Sequence, residues 1–160
     1  MYRLTDAVRD ARARGRRPLA AALLLLGSWG VCAADSAGVV KTLQGSAFVT
    51  RDAVTLALAP GQRVFAGDRV TAGAASHVGI TLHDDTRLAI GPGGSLEIRD
   101  FAFDASTYAG QLAISFLRGT ARVITGILSR HAPERVEYRT PTMTIGIRGT
   151  DFIVDLEERP

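Results

Sequence analysis

The sequence predicts an exported all-β domain, with short strands and turns in a solenoid-like or sandwich arrangement behind an N-terminal signal or anchor helix. Three observations carry this prediction. Apolar and polar residues alternate in runs of about four to eight, turn residues recur about every dozen positions or fewer, and no window after residue 35 sustains helical periodicity. The chain of 160 residues, of which 46% are hydrophobic, is long enough for one globular domain.

The N-terminal segment 1–34 has the layout of a secretory signal. An arginine-rich stretch precedes the apolar run 19–26, and small residues follow that run. Basic, apolar and small-residue zones in this order predict a signal peptide cleaved after Ala33 or Ala34. The alternative is an uncleaved anchor, because the uncharged stretch 18–34 reaches the lower length limit for spanning a bilayer. We therefore expect a periplasmic or exported domain, or one anchored in the inner membrane and facing away from the cytoplasm.

We treat residues 36–156 as one β-domain and residues 157–160 as a tail. The stretch 127–135 lacks a pattern and is predicted to be a loop, and Arg118-Gly119 is predicted to be a turn between strands. The apolar positions of the alternating runs are, in chain order, Val78, Ile80, Leu82, Leu88, Ile90, Leu96, Ile98, Leu112, Ile114, Phe116, Ala121, Val123, Val136, Tyr138, Ile145, Ile147, Phe152 and Val154.

The charge distribution argues against nucleic acid as a partner. Six of the 19 basic residues precede residue 18, and from Asp35 onward 13 Lys and Arg accompany 14 Asp and Glu, a net charge of −1. A basic stripe on the folded domain is therefore not expected. The single Cys32 excludes an internal disulfide and a cysteine-built zinc site.

A set of short motifs in a fixed order resembles the FecR domain. It begins at Gly38, passes through Val64-Phe65-Ala66-Gly67-Asp68-Arg69 and Thr140-Pro141, and closes on Arg148-Gly149-Thr150-Asp151-Phe152. The resemblance covers about Gly38 to Val154 and implies a periplasmic all-β module. In the ferric-citrate type of regulator, such a domain relays the occupancy of a transporter to a cytoplasmic sigma factor.

Two departures limit what the resemblance implies. Those regulators carry a cytoplasmic anti-sigma domain, whereas here the apolar run already begins at residue 19, and many carry a receptor-binding module where this sequence stops at Pro160. We therefore expect a stand-alone FecR-type sensor or adaptor that contacts an envelope protein of unknown identity. The alternative is a glycan- or peptidoglycan-associated binding or structural domain of the periplasm.

The family motifs are expected to be structural. Gly67-Asp68 is read as a turn in which the aspartate bonds its own backbone, and Thr140-Pro141 as a further family landmark. In the segment 148–152, Arg148 is expected to pair with a local carboxylate at a strand bulge formed around Gly149, Thr150 and Asp151, while Phe152 anchors the core.

No catalytic, metal or cofactor site is expected. Calcium needs six to eight oxygen ligands, and the acidic turns at Asp68 and Asp84 are not grouped for that purpose. His77 and His83 fall on the polar side of an alternating run, about 20 Å apart along the strand, too far to share a metal ion. The linear sequence contains no recognisable arrangement of nucleophile, base and acid.

Two places are candidates for partner contact. The loop from Phe103 to Tyr108 extends past a strand into polar residues and offers an exposed aromatic patch, although packing beneath the loop is the other reading. The final strand, 152–156, has no following hairpin partner and leaves an edge open for strand addition. The charged residues 157–159 would then protect that edge.

Overall fold

The computed structural model describes residues 35–146 and 151–156, and almost all of their regular structure is β. The predicted all-β class is therefore confirmed, whereas the predicted signal or anchor segment 1–34 lies outside the described residues. No helix within the described residues is long and apolar enough to cross a membrane. The strands are β1 (Gly38–Gln44), β2 (Ala47–Arg51), β3 (Val54–Ala57), β4 (Arg63–Val64), β5 (Arg69–Ala72), β6 (His77–Leu82), β7 (Arg87–Ile90), β8 (Ser95–Phe103), β9 (Gly110–Ile124), β10 (Val136–Arg139), β11 (Thr144–Ile145) and β12 (Asp151–Leu156).

The strands form one curled sheet, where the sequence predicts a solenoid-like or sandwich arrangement. Neighbouring strands follow the order β3-β2-β5-β8-β9-β7-β6-β1-β4, and β10, β11 and β12 attach beside this path. All pairings between the described strands are antiparallel except that of β10 with β9. Several neighbours lie far apart in the chain, so local periodicity carries no information about this order.

Strand β9 joins the two halves of the sheet. Its first part, up to Arg118, pairs with β8 and β10, and its last part, from Gly119, pairs with β7 and β12. The turn predicted at Arg118-Gly119 is wrong, because the chain continues there as a strand. Gly119 has a φ of +69°, and the buried positions change phase between Phe116 and Ala121. Glycine tolerates positive φ at little cost, so it lets a single strand change the side that it buries.

The core follows the predicted alternation. In β6, Val78, Ile80 and Leu82 are each at most 2% exposed. Each such side chain contributes about 1.5–3 kcal/mol to stability by burial. The largest buried ring, Tyr138, packs against Phe116 at a centroid distance of 6.3 Å.

The stretch 127–135, predicted to be a loop, contains two short helical turns. Helix α1 spans Ile127–His131, and a 3-10 turn spans Pro133–Arg135. Leu128 is fully buried and its carbonyl accepts a hydrogen bond from the Ala132 amide at 2.8 Å. A helix of five residues is too short to show a helical period in the sequence.

Candidate functional site

The predicted motif residue Asp68 is held inside the fold by Arg51. Its carboxylate accepts hydrogen bonds from Arg51 Nε at 2.6 Å, Arg51 Nη2 at 2.7 Å and the Phe65 amide at 2.8 Å. Asp68 has no exposed surface, and the guanidinium lies 4.2 Å from the centre of the Phe65 ring. The hydrogen bond to Asp68 raises the pKa of the Arg51 guanidinium. Gly67 has a φ of +88°, and its amide donates to the Ile98 carbonyl at 2.7 Å. These contacts tie the β4–β5 turn to β2 and β8.

A second acid, Asp84, is buried in the turn between β6 and β7. It accepts hydrogen bonds from the Thr86 hydroxyl at 2.7 Å and the Thr86 amide at 3.1 Å. The Thr86 hydroxyl oxygen in turn accepts from the Gly126 amide at 3.0 Å. Burial raises the pKa of the Asp84 carboxyl. A Cβ on Gly126 would lie 2.1 Å from the Asp84 carbonyl oxygen, so this close approach requires glycine. Asp84 thereby fixes the segment that leads into α1.

The predicted motif Thr140-Pro141 lies at the turn between β10 and β11. The Thr140 amide donates to the Met143 carbonyl at 2.8 Å, and the Thr140 hydroxyl oxygen accepts from the Met143 amide at 3.1 Å. Pro141 is exposed. Just before this turn, burial raises the pKa of Tyr138 to about 12. The turn follows directly on the most buried ring of the core.

The predicted segment 148–152 is described only in part. Arg148, Gly149 and Thr150 lie outside the described residues, whereas Asp151 and Phe152 begin β12. Arg122 donates to Asp151 through Nε at 2.9 Å and also through Nη2, and the hydrogen bonding lowers the pKa of that carboxyl. The Phe152 ring meets Tyr138 edge-on at a centroid distance of 5.1 Å. Phe152 thus packs on the core, while Asp151 pairs with the neighbouring strand.

The predicted contact residues Phe103 and Tyr108 face different surroundings. Phe103 lines a groove of about 910 Å³ together with Phe101 and His83. Tyr108 has a φ of +56°, is 45% exposed and stacks on His131 at a centroid distance of 5.0 Å. Tyr108 is not among the residues that line this groove.

The loop between them is fixed by Asp104. Its carboxylate accepts hydrogen bonds from the Ser106 hydroxyl, from the Ser106 amide at 2.8 Å and from the Thr107 amide at 3.3 Å. These bonds, led by that from the Ser106 hydroxyl, lower the pKa of Asp104 to about 2. The same hydrogen bonds hold the turn that leads to Tyr108.

His77 and His83 are exposed, as the alternation predicts. The His83 ring is hydrogen-bonded to the Ser36 hydroxyl at 2.9 Å. In the part of the chain that the structure describes, no three His, Cys, Asp or Glu side chains are grouped to hold a metal ion. The two buried acids are instead bonded to neighbouring side chains and amides.

Two longer strands, β3 and β12, have a partner on one side only within residues 35–146 and 151–156. Strand β3 pairs with β2, and β12 pairs with the last part of β9. Both edges carry exposed apolar side chains. Val54 and Leu56 of β3 are 56% and 51% exposed, and Ile153 of β12 is 66% exposed.

Strand β12 lies between two concave surfaces. Ile153 borders a trough of about 400 Å³ that Gly79, Ala89 and Arg122 also line. These four residues lie opposite one another on the neighbouring strands β6, β7, β9 and β12. Leu156 borders a second groove of about 490 Å³, which Phe48 and Arg118 also line. Ile153 belongs to the edge strand 152–156 that the sequence predicts, and its place in the alternation indicates the outer face.

The comparison with known families identifies the chain. Residues 68–160 match the family described as FecR protein, which is more than half of the sequence, and the chain belongs to this family. The family is linked to envelope signal transduction, is regulatory in character, and its domains are typically periplasmic. No curated protein and no solved structure matches the chain. The resemblance stated from the ordered motifs is thereby confirmed at the level of the domain.

Proposed function

We propose that this protein is a non-enzymatic sensor or adaptor of the bacterial envelope that acts by binding another protein. The observation that carries the proposal is the exposed apolar surface along the open sheet edges. Phe48, Val54, Leu56 and Ile153 are between 44% and 66% exposed and lie on β2, β3 and β12. Exposed apolar side chains beside unpaired strand edges are typical of surfaces that another protein covers.

The buried polar groups support a structural role for the family motifs. Asp68 and Asp84 have no exposed surface, and their oxygens accept hydrogen bonds from Arg51 and Thr86. An acid used in this way supports the fold, because a catalytic acid or base must reach a substrate. We propose the same architectural role for Thr140 and for the segment 148–152.

The family and the sequence of segment 1–34 support a location outside the cytoplasm. We propose that the domain works in the periplasm and that segment 1–34 directs its export, either as a cleaved signal or as an inner-membrane anchor. In either form, residues 36–156 would meet partners outside the cytoplasm.

Cross-linking in living cells tests the proposal. A photoreactive amino acid is placed at Ile153, Leu56, Phe103 or Tyr108, and as a matched control at Arg63, which is exposed and lines none of the grooves described above. After irradiation, the tagged protein is purified under denaturing conditions and the adducts are identified. We expect one specific inner- or outer-membrane protein from at least one of the four positions and not from the control. Abundant bystanders only, at all five positions, would reject the sensor or adaptor role.

A second candidate function has one observation in its favour. Tyr108 and His131 form an exposed stacked pair, and an exposed ring of this kind can pack on a sugar face. A glycan- or peptidoglycan-binding domain would be retained on isolated cell-wall material, and Tyr108→Ala would abolish the retention. Retention that persists in the variant would reject this alternative.

A further inference from the structure

We propose that the free edge of β12 accepts an extended segment of the partner as an added strand, with basic residues on its outer side and apolar residues on its inner side. This inference rests on the proposed function and specifies the surface and the chemistry of the partner. It concerns β12 alone, from Asp151 to Leu156.

The backbone provides the first argument. Strand β12 is six residues long and pairs along its whole length with β9, from Asp151 opposite Ile124 to Leu156 opposite Gly119. Within the described residues, its other side has no strand partner. The outward amides and carbonyls of such an edge form a ready template for a peptide in extended conformation.

The inner face of β12 is incompletely covered. Val154 is 7% exposed, but Phe152 and Leu156 on the same face are only partly buried. Apolar side chains of an added strand would lie beside these two residues and continue the core outward. This favours a partner segment whose inner positions are apolar.

The outer face selects for charge. Ile153 lies between two exposed carboxylates, those of Asp151 and Asp155. Asp151 is paired with Arg122, whereas Asp155 accepts a hydrogen bond from the Thr120 hydroxyl at 3.1 Å and has no cationic partner within residues 35–146 and 151–156. Opposite charges on directly facing residues stabilise strand pairs, and like charges destabilise them. Lysine or arginine at the outer positions therefore complements this edge.

The same charges disfavour a second copy of this chain as the occupant. If two β12 strands pair antiparallel about Ile153, each Asp151 lies opposite Asp155 of the other copy. Strand β3 differs, because none of its residues Val54–Ala57 is charged. A basic segment is thus directed to β12, and β3 serves as the internal comparison.

The test uses short capped peptides and the full-length protein. The probe is a seven-residue peptide of alternating Lys and Val. One control has Glu in place of Lys, and another keeps the Lys-Val sequence but carries N-methyl groups that remove alternate backbone donors. We expect the Lys-Val peptide to shift the backbone NMR signals of 151–156. Both control peptides should bind at least about tenfold more weakly, because the Glu peptide loses charge complementarity and the N-methylated peptide loses backbone hydrogen bonds to β12.

Matched variants of the protein locate the site. Asp155→Lys is expected to weaken binding of the Lys-Val peptide about tenfold and to improve binding of the Glu-Val peptide. Asp100→Lys is the control, because Asp100 is also an exposed strand residue bonded to a neutral side chain, that of Gln111, and should leave binding unchanged. Asp155→Asn is a milder second variant, and circular dichroism confirms that each variant is folded.

The outcomes separate this inference from the proposed function. Equal binding of the Lys-Val and Glu-Val peptides, insensitivity to N-methylation, signals that shift on β3 and not on β12, or no binding of the Lys-Val peptide would each overturn strand addition at β12. If the cellular partner is still captured by Asp155→Lys at the wild-type level, strand addition fails and the adaptor role stands. If no specific partner is captured by any form, the proposed function itself fails.

Discussion

Replacing Arg51 with alanine is expected to destabilise the domain by about 3 kcal/mol, more than an ordinary surface ion pair contributes. Arg51 supplies two of the three hydrogen bonds that the Asp68 carboxylate accepts from the described residues. Among those residues, the variant would leave only the Phe65 amide as a donor to a carboxylate that is 0% exposed. The substitution removes the partly exposed Arg51, but the loss of stability arises at the buried Asp68.

The magnitude follows from the burial of the two partners. Removing one partner of a buried ion pair costs about 3–5 kcal/mol, because the remaining charge is left without compensation. The Arg51 side chain is 37% exposed, so its removal admits water toward Asp68 and places the expected cost at the lower end. Loss of the packing between the guanidinium and the Phe65 ring adds about 0.5 kcal/mol.

The matched control is Arg69→Ala. Arg69 pairs with Glu97 at 3.1 Å, but both side chains are partly exposed, at 53% and 27%. Exposed pairs of this kind contribute about 0.2–1 kcal/mol. Urea unfolding followed by far-UV circular dichroism measures both variants, provided that the slope with denaturant is unchanged. If the two variants lose the same free energy of unfolding to within about 0.5 kcal/mol, which is on the order of the measurement precision, the reasoning is refuted.

Three further predictions concern Gly119 and the carboxyl groups of Asp104 and Asp84. Gly119→Ala should destabilise the domain by about 2–4 kcal/mol, and the control Gly61→Ala by about 1–2 kcal/mol. Both glycines have positive φ, but only at Gly119 would the new Cβ lie close to other atoms, 2.7 Å from Gly94 Cα. Equal losses of stability in urea unfolding would show that this close approach is unimportant. The Asp104 carboxyl should titrate at about 2 by NMR, so it stabilises the fold above pH of about 4 and this contribution is lost as the pH falls toward 2; a normal titration would contradict its hydrogen bonding. Burial raises the pKa of the Asp84 carboxyl, so the folded state binds the carboxyl proton more tightly than the unfolded state does. Stability therefore falls as the pH rises above about 4. Asp84→Asn should reduce that fall in unfolding measured against pH, and an unchanged profile would contradict the raised pKa of Asp84.

The sequence predicts which side chains of a strand are buried better than it predicts which strands lie next to each other in the sheet. Alternation assigns Val78, Ile80 and Leu82 to the core because a strand repeats every two residues. It cannot show that β6 lies between β1 and β7, since many strands share the same pattern. Gly119 illustrates a different failure, because a glycine occurs both in turns and at strand positions with positive φ. Only the pairing of β9 on either side of Gly119 shows that the chain continues there as a strand.

The candidate site was predictable in part. The last strand, 152–156, is predicted as an open edge, and within the described residues β12 pairs with β9 alone. Its pairing with β9, and hence the exposure of Ile153 between two acids, depends on contacts about thirty residues apart, which local patterns do not encode. The sequence does not predict the Arg51–Asp68 ion pair either, because no local pattern around Arg51 indicates that it contacts a buried carboxylate.

Amide hydrogen exchange along β12, residue by residue, tests the open edge most directly. Only the amides that point toward β9 are paired in an edge strand, so the account predicts alternating slow and fast exchange from Asp151 to Leu156. The fast amides should become slow when the Lys-Val peptide is added. Uniformly slow exchange in the free protein would mean that both sides of β12 are already paired, and would contradict the claim that this strand is available to a partner.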